Sequence, residues 1–288
     1  MKKKIAIIGG SGFIGLNLCK RLSGLFTVIN IDVKKSNIKN VEDKIVDIMN
    51  EKKLSNALIG CTYVFHLAGI SDLNSAMTSP KKTAEKNIIG TINVLNACLI
   101  NNVKKLIYSS SIYSFTQEGG FYKCSKISAE FFIYEYKKRY NLNYTILRFG
   151  SIFGKFSNKE NGLFRVMSEA IFTKCISYNG ARGIKRRFID IQDVVIGMEN
   201  AISCKYDNRI LKLTGKKNLK ITKVLNYIAK ICSIKKKVVF TSNKNYPGHY
   251  ITYPKIFKFP KIINLRLKNY TPIQESLLNL YHYILKKK

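Results

Sequence analysis

The sequence predicts an α/β fold: a doubly wound parallel sheet followed by a smaller α/β unit. Short apolar runs alternate with helical patterns through the first half of the chain, a glycine-rich turn joins the first run to the first helix, and the alternation loosens after Gly150. Such alternation builds βαβ units, whose crossovers place helices on both faces of a parallel sheet.

In order, the apolar run Lys4 to Ile8 reads as a strand and Gly12 to Leu22 as the helix that follows it. Thr27 to Ile31 and Tyr63 to Leu67 are the next strands, Thr83 to Ile100 a helix, and Lys105 to Tyr108 a strand. Tyr122 to Tyr140 is helical and Tyr144 to Phe149 closes the first unit, residues 1–150. Residues 151–288 form mainly the smaller unit, with 184–204 expected to return to the first. There Arg187 to Ile191 and Ile210 to Thr214 read as strands, and Ile221 to Cys232 as a helix with Val224, Leu225, Ile228 and Ile231 on one face. Pro247, Pro254 and Pro260 punctuate the tail, and a last helix begins near Ile273, after Thr271 and Pro272.

A hydrophobic fraction of 46% and a charged fraction of 23% are those of a chain that buries a core. The net charge of +33 is spread along the whole chain, with small clusters at Lys34-Lys35, Lys216-Lys217 and Lys235 to Lys237. Scattered charge reads as solvated lysine faces, so nucleic acid is not expected as a partner. Seven cysteines lie far apart without a C-x-x-C pair or a histidine cluster, which predicts neither a disulfide framework nor a metal site and suits a reducing cytoplasm. No apolar run reaches the ~18 residues of a membrane span.

Gly9-Gly10-Ser11-Gly12-Phe13-Ile14-Gly15 leaves a strand and opens a helix, the context of a Rossmann-type dinucleotide fingerprint. Gly9 permits the tight turn, Gly12 lets backbone approach a pyrophosphate, and Gly15 allows the helix to pack closely. Asp32 ends the second strand about 20 residues on, where an acid accepts hydrogen bonds from ribose hydroxyls. A carboxylate there repels a 2′-phosphate, which favours NAD over NADP, while Lys34 and Lys35 stand nearby as the opposing signal.

Tyr122 and Lys126 stand four apart on one helix face, just after the strand that ends in Ser109-Ser110-Ser111. Ligands of open α/β sheets sit outside the carboxyl ends of strands, so these groups converge there. A cation beside a phenol favours the phenolate, and a serine hydroxyl, Ser110 or Ser111, holds the reacting oxygen.

With these motifs the chain resembles the extended short-chain dehydrogenase/reductases, and within them the NAD-dependent epimerase/dehydratase family with its UDP-glucose 4-epimerase-like members. Val64-Phe65-His66-Leu67-Ala68-Gly69 is similar to that family's loop over the cofactor, Asn87 to Leu95 to its following helix, and Asp47-Ile48 to the pair flanking adenine. Leu147 to Gly150 and Arg186 to Val194 match later landmarks. The resemblance implies Gly9, Gly12, Phe13, Ile14, Gly15, Asp32, Asp47, Ile48, Leu67, Ala68 and Lys126 at the cofactor NAD. It implies Ser111, Tyr122, Asn161 and Arg186 at a nucleotide-sugar substrate, a UDP-, dTDP- or GDP-sugar, with Arg186 facing its phosphates. His66 is read as a packing residue.

Sugar 4,6-dehydratases of the family carry an Asp-Glu pair after the serine, and Ser111-Ile112-Tyr113 has no acid. The expected reaction is therefore inversion at C4 through a transient keto sugar, that of an isomerase. The second reading is an NAD(P)H-dependent keto-sugar reductase, and the third a silent dinucleotide-binding or nucleic-acid-associated protein. The family's common setting is polysaccharide biosynthesis. The helices Asn87 to Ile100 and Tyr122 to Tyr140 are apolar over much of their circumference: either they are simply buried or, as the resemblance implies, they pair across a homodimer as a four-helix bundle.

Overall fold

The computed structural model describes residues 2–116, 118–234, 238–241 and 262–286. The Lys235 to Lys237 cluster and the prolines at 247, 254 and 260 lie outside the described residues. The first unit runs β1 (Lys4–Ile8), α1 (Phe13–Leu22), β2 (Thr27–Asp32), β3 (Val41–Ile45), α2 (Glu51–Ala57), β4 (Tyr63–His66) and α3 (Leu73–Thr78). It continues with α4 (Pro80–Ala84), a π turn over Glu85–Ile89, α5 (Gly90–Ile100), β5 (Lys105–Ser111), α6 (Gly120–Tyr140) and β6 (Asn143–Phe149). Beyond it lie α7 (Gly162–Thr173), α8 (Ile191–Asn200), β7 (Arg209–Leu213), α9 (Ile221–Ile231), β8 (Ile262–Asn264) and α10 (Ile273–Leu285).

Among the described residues eight of the strands form one parallel sheet in the order β8-β7-β6-β5-β4-β1-β2-β3, and the others form three small two-stranded sheets. The chain moves outward from β1 to β3, then crosses back to β4 on the other side of β1. That reversal opens a crevice at the carboxyl ends of β1 and β4, where the turns at Gly9 and Leu67 diverge. Strand side chains alternate between the two faces. Ala6, Ile8, Val64 and Leu106 face the layer of α2, α5 and α6. Ile5, Ile7, Phe65 and Ile107 face α1 and α8. A third core, with Leu163, Met167, Val224, Ile228, Leu277 and Leu280, joins α7, α9 and α10 into the smaller unit.

The structure differs from the expected layout at four places. β3, whose sequence Val-Glu-Asp-Lys-Ile carries no alternation, is recruited as an edge strand by pairing with β2. The single helix expected from Thr83 to Ile100 is interrupted by the π turn. The strand expected to reach Ile191 ends at Asp190, whose carboxylate accepts the Gln192 amide and so caps α8. Finally, β7 and β8 extend the large sheet, although the sequence places them in the smaller unit, because β6 offers an unpaired edge.

Lys105, at the start of β5, is buried and donates to the carbonyls of Ala201 (3.2 Å), Ile202 (3.0 Å) and Ser203 (2.8 Å) just past the end of α8. It also pairs with Asp207. A cation suits the negative end of a helix, and truncating it leaves those acceptors and the Asp207 carboxylate without their donor. We expect Lys105→Met to lower stability by about 3 kcal/mol, measured by urea unfolding; a loss no larger than that of an exposed lysine would contradict this account.

Candidate active site

The turn after β1 is shaped by the lack of side chains. Gly9 has φ +85°, and a Cβ there would lie 2.5 Å from the Ala68 amide nitrogen. A Cβ on Gly15 would lie 2.2 Å from the Gly9 carbonyl oxygen, so α1 starts against the turn only because both residues are glycine. Gly12 sits at the N-cap position of α1 with no side-chain cap, which leaves the first amides of the helix, at Phe13 and Ile14, for an external acceptor. A diphosphate fits amides so placed.

Asp32, at the end of β2, accepts the Ser11 amide at 3.0 Å, which ties the acid to the glycine turn. Ser11 is fixed further by donating to the Lys34 carbonyl at 2.6 Å and accepting from Asn30 at 2.9 Å. Both oxygens of Asp47 accept from Lys86, at 2.9 and 2.8 Å, and Oδ1 also accepts the Met49 amide at 3.0 Å. The Lys86 ammonium holds the Asp47 carboxyl below the usual carboxylate range. Ile48 is buried against α5 where Gly90 makes room: a Cβ on Gly90 would lie 2.4 Å from Ile48 Cδ1. Leu67 and Ala68 both donate their amides to the Ile8 carbonyl and floor the crevice. The donor set thus fits a dinucleotide: amides for phosphates, carboxylates for hydroxyl and amino donors, and an apolar floor.

At the carboxyl end of β5 strand parity separates the serines. Ser111 Oγ accepts the Tyr113 amide at 3.2 Å and lies near enough to the Tyr122 phenol to favour its ionised form, whereas Ser110 faces α6, donates to Glu130 and lies 3.1 Å from Ser114 Oγ. The geometry therefore brings Ser111, and not Ser110, to Tyr122. Lys126 donates to the Ser109 carbonyl at 3.0 Å and lies 5.9 Å from the centre of the Tyr122 ring.

The expected electrostatics need correction. The sequence argues that Lys126 brings the Tyr122 phenol toward neutral range, but burial dominates and pushes it up to about 12, with the polar Ser111 hydroxyl opposing. Burial likewise pulls the Lys126 ammonium down to about 8, against the attraction of Glu130. Phenol and ammonium are both desolvated, and desolvation outweighs the benefit each gains from its partner.

Asn161, expected at the substrate, spends its amide within the protein. Its Oδ1 accepts the Phe164 amide at 3.2 Å as the cap of α7, and its Nδ2 donates to the Ile152 carbonyl at 2.7 Å. Its geometry is that of a helix cap. Arg186 is half-buried in a two-residue strand paired with Leu219–Lys220, in the smaller unit.

Sequence reasoning passed over Asn87, Lys86 and Glu130 as site residues. Asn87, inside the π turn, exchanges hydrogen bonds with the Ile70 backbone at 2.7 and 2.9 Å and donates to Ser125 Oγ at 2.9 Å. It joins the loop after β4 to the first turns of α6. His66 is fully buried with Nε2 3.0 Å from Thr91 Oγ1, and that hydroxyl donates to the Asn87 carbonyl. With the Thr91 proton so used, His66 Nε2 is the donor of their bond, and the ring is neutral.

Comparison with known proteins was consistent along the chain. The model of the family described as NAD dependent epimerase/dehydratase matches residues 5–213. The structure is similar to that of UDP-glucose 4-epimerase from Thermotoga maritima with UDP-glucose, at a TM-score of 0.82 and 22% identity over 99% of each chain. It is similar also to UDP-glucuronic acid 4-epimerase from Bacillus cereus in complex with UDP-glucuronic acid and NAD, at a TM-score of 0.85 and 21% identity over 99% of this chain and 100% of that one. Among curated relatives, a UDP-glucuronate 4-epimerase from Thermodesulfobacterium geofontis is 25% identical over 81% of this chain and 76% of its own.

Burial and the nearby Lys126 charge push the His66 imidazole down to about 3 from 6.5. Between those values the unfolded chain binds a proton that the folded protein refuses, so stability falls as pH falls through the window. We expect His66→Gln, which keeps a donor to Thr91, to remove a slope approaching about 1.4 kcal/mol per pH unit between pH 4 and 6. Urea unfolding across that range would show it, and parallel curves for the two proteins would rule it out.

Proposed function

Because the chain belongs to the NAD dependent epimerase/dehydratase family, we propose that it inverts C4 of a UDP-linked sugar, with NAD held at the glycine turn. The single observation that carries this reading is the convergence of Tyr122, Lys126 and Ser111 at the mouth of a crevice whose glycines fit a dinucleotide. The similar proteins named above are UDP-sugar 4-epimerases, which supports C4 as the centre inverted and uridine diphosphate as the carrier.

Bound NAD supplies a hydride acceptor and, in its reduced form, a hydride donor, so that no external coenzyme is consumed. Gly12, Phe13 and Ile14 would hold its diphosphate and Asp32 the adenosine ribose, with Asp47, Ile48, Leu67 and Ala68 flanking the rest. In its phenolate form Tyr122 would take the proton of the sugar's C4 hydroxyl on its phenolic oxygen and return it after the keto sugar has turned over. Ser111 holds that hydroxyl in line with the phenol, and Lys126 carries the positive charge that favours the phenolate. Arg186 would pair with the diphosphate of the sugar nucleotide, the task to which a guanidinium fork is suited.

The homodimer is part of this proposal. Ile89, Ile100, Phe121, Phe131, Phe132 and Tyr134 are exposed on α5, α6 and the π turn before α5. A second copy of the chain packing its own α5 and α6 there would bury them. No helix among the described residues is long and apolar enough to cross a membrane.

We expect purified protein to interconvert C4 epimers of a UDP-glucose, UDP-glucuronate or UDP-N-acetylglucosamine panel, followed by NMR, with no net NADH formed. Tyr122→Phe should abolish turnover and Ser111→Ala should lower kcat by about 10²- to 10⁴-fold. An inert panel, together with reduction of a 4-keto sugar by added NADH, would replace the epimerase with a reductase. Light scattering should give the mass of a dimer and Phe131→Lys that of a monomer; a monomeric parent protein would refute the dimer.

A further inference from the structure

Behind Tyr122 and Lys126 lies a buried ion pair to which the proposed proton transfer gives no part. Arg148 of β6 is 0% exposed and Glu130 of α6 is 2% exposed. Arg148 Nε donates to Glu130 Oε1 at 2.9 Å and Nη2 donates to Oε2. The Ser110 hydroxyl also donates to this carboxylate and lies 3.1 Å from Ser114 Oγ. One carboxylate thus fastens α6 to β6, to the end of β5 and to the turn after it.

A pair buried so completely is a poor stabiliser, since desolvating two ions consumes most of what their attraction returns, and apolar residues of similar volume often do as well. Its position says more. Tyr122, Lys126 and Glu130 succeed one another at four-residue spacing along one face of α6. Ser110 is the neighbour of Ser111, so the same carboxylate sets the distance between the helix that carries the phenol and the strand that carries the hydroxyl.

We propose that Glu130, clamped by Arg148 and Ser110, is a positioning residue that holds Lys126 as an ammonium and keeps α6 in register with Ser111. The proposal rests on Tyr122 and Lys126 being the catalytic pair. The titratable and charged groups around Lys126 are Tyr122 and Glu130 on α6, Tyr108 on β5 and His66 on β4, with Arg148 of β6 behind Glu130. His66 is neutral at neutral pH, and the two phenols are uncharged there. Glu130 is therefore the one anion in this set, and its charge opposes the burial that drives the proton from Lys126. Removing it leaves Lys126 with the Arg148 cation in the same enclosure.

The test reads Lys126 itself, in protein without sugar. With ¹³Cε-labelled lysine, one resonance should titrate near pH 8, and Lys126→Arg should delete it. In Glu130→Gln its midpoint should fall by about one pH unit or more, and the alkaline limb of kcat should move to lower pH in the same sense. Should that variant not fold, Glu130→Leu with Arg148→Met replaces the pair by apolar residues. The midpoint should fall there too, by less, because a cation has left with the anion. A Lys126 midpoint equal to the parent's in either folded variant overturns the proposal. The shift without turnover on any sugar would instead count against the epimerase reading and leave the electrostatic role of Glu130 standing.

Discussion

Burial of β5 on both faces is the constraint on which the rest of the site depends. Every residue of this strand is buried, from Lys105 to Ser111, yet its amino end carries an ammonium and its carboxyl end three hydroxyls. Polar groups survive in such a place only when each finds a partner. At the amino end the partners are the carbonyls past α8, and at the carboxyl end they are Glu130 and Lys126 of α6 and the Tyr113 amide. The strand is thus held at both ends by bonds that desolvation makes obligatory, and the crevice beside it inherits that rigidity.

The same desolvation explains why the reactive groups look unsuited to their task in isolation. A phenol pushed up to about 12 and an ammonium pulled down to about 8 are both displaced toward the uncharged form. A site of this kind is poised to gain from any further charge brought into it, because interactions are stronger where water is excluded. His66 belongs to the same picture from the other side. It is neutral and spends its Nε2 proton on Thr91, so it contributes shape and no charge.

How much of this was legible in the sequence depended on how local each signal is. Gly9 and Gly15 are readable because a backbone approach of this closeness excludes every residue with a Cβ. Asp32 and the Tyr122 to Lys126 spacing are readable because strand ends and helix faces are set by short-range periodicity. The choice between Ser110 and Ser111 is a matter of strand parity relative to α6, which becomes visible only once the helix is docked. β3 has no alternating pattern and exists because β2 offers an edge. The π turn follows from no feature of composition, and it places Asn87 between the Ile70 backbone and Ser125. Asn161 is the instructive case in the other direction: asparagine suits both a ligand contact and a helix cap, and the structure shows the cap.

The bonds from Lys105 to the carbonyls past α8 span 96 to 98 residues of chain. During synthesis at roughly 5 to 20 residues per second, about 5 to 20 seconds separate the appearance of that lysine from the appearance of its acceptors. For that interval water solvates the ammonium of a strand destined for the centre of the sheet, in place of the carbonyls that later receive it. The buried end of the central strand is thus completed by residues from the second half of the chain, and the two halves of the sequence share one core.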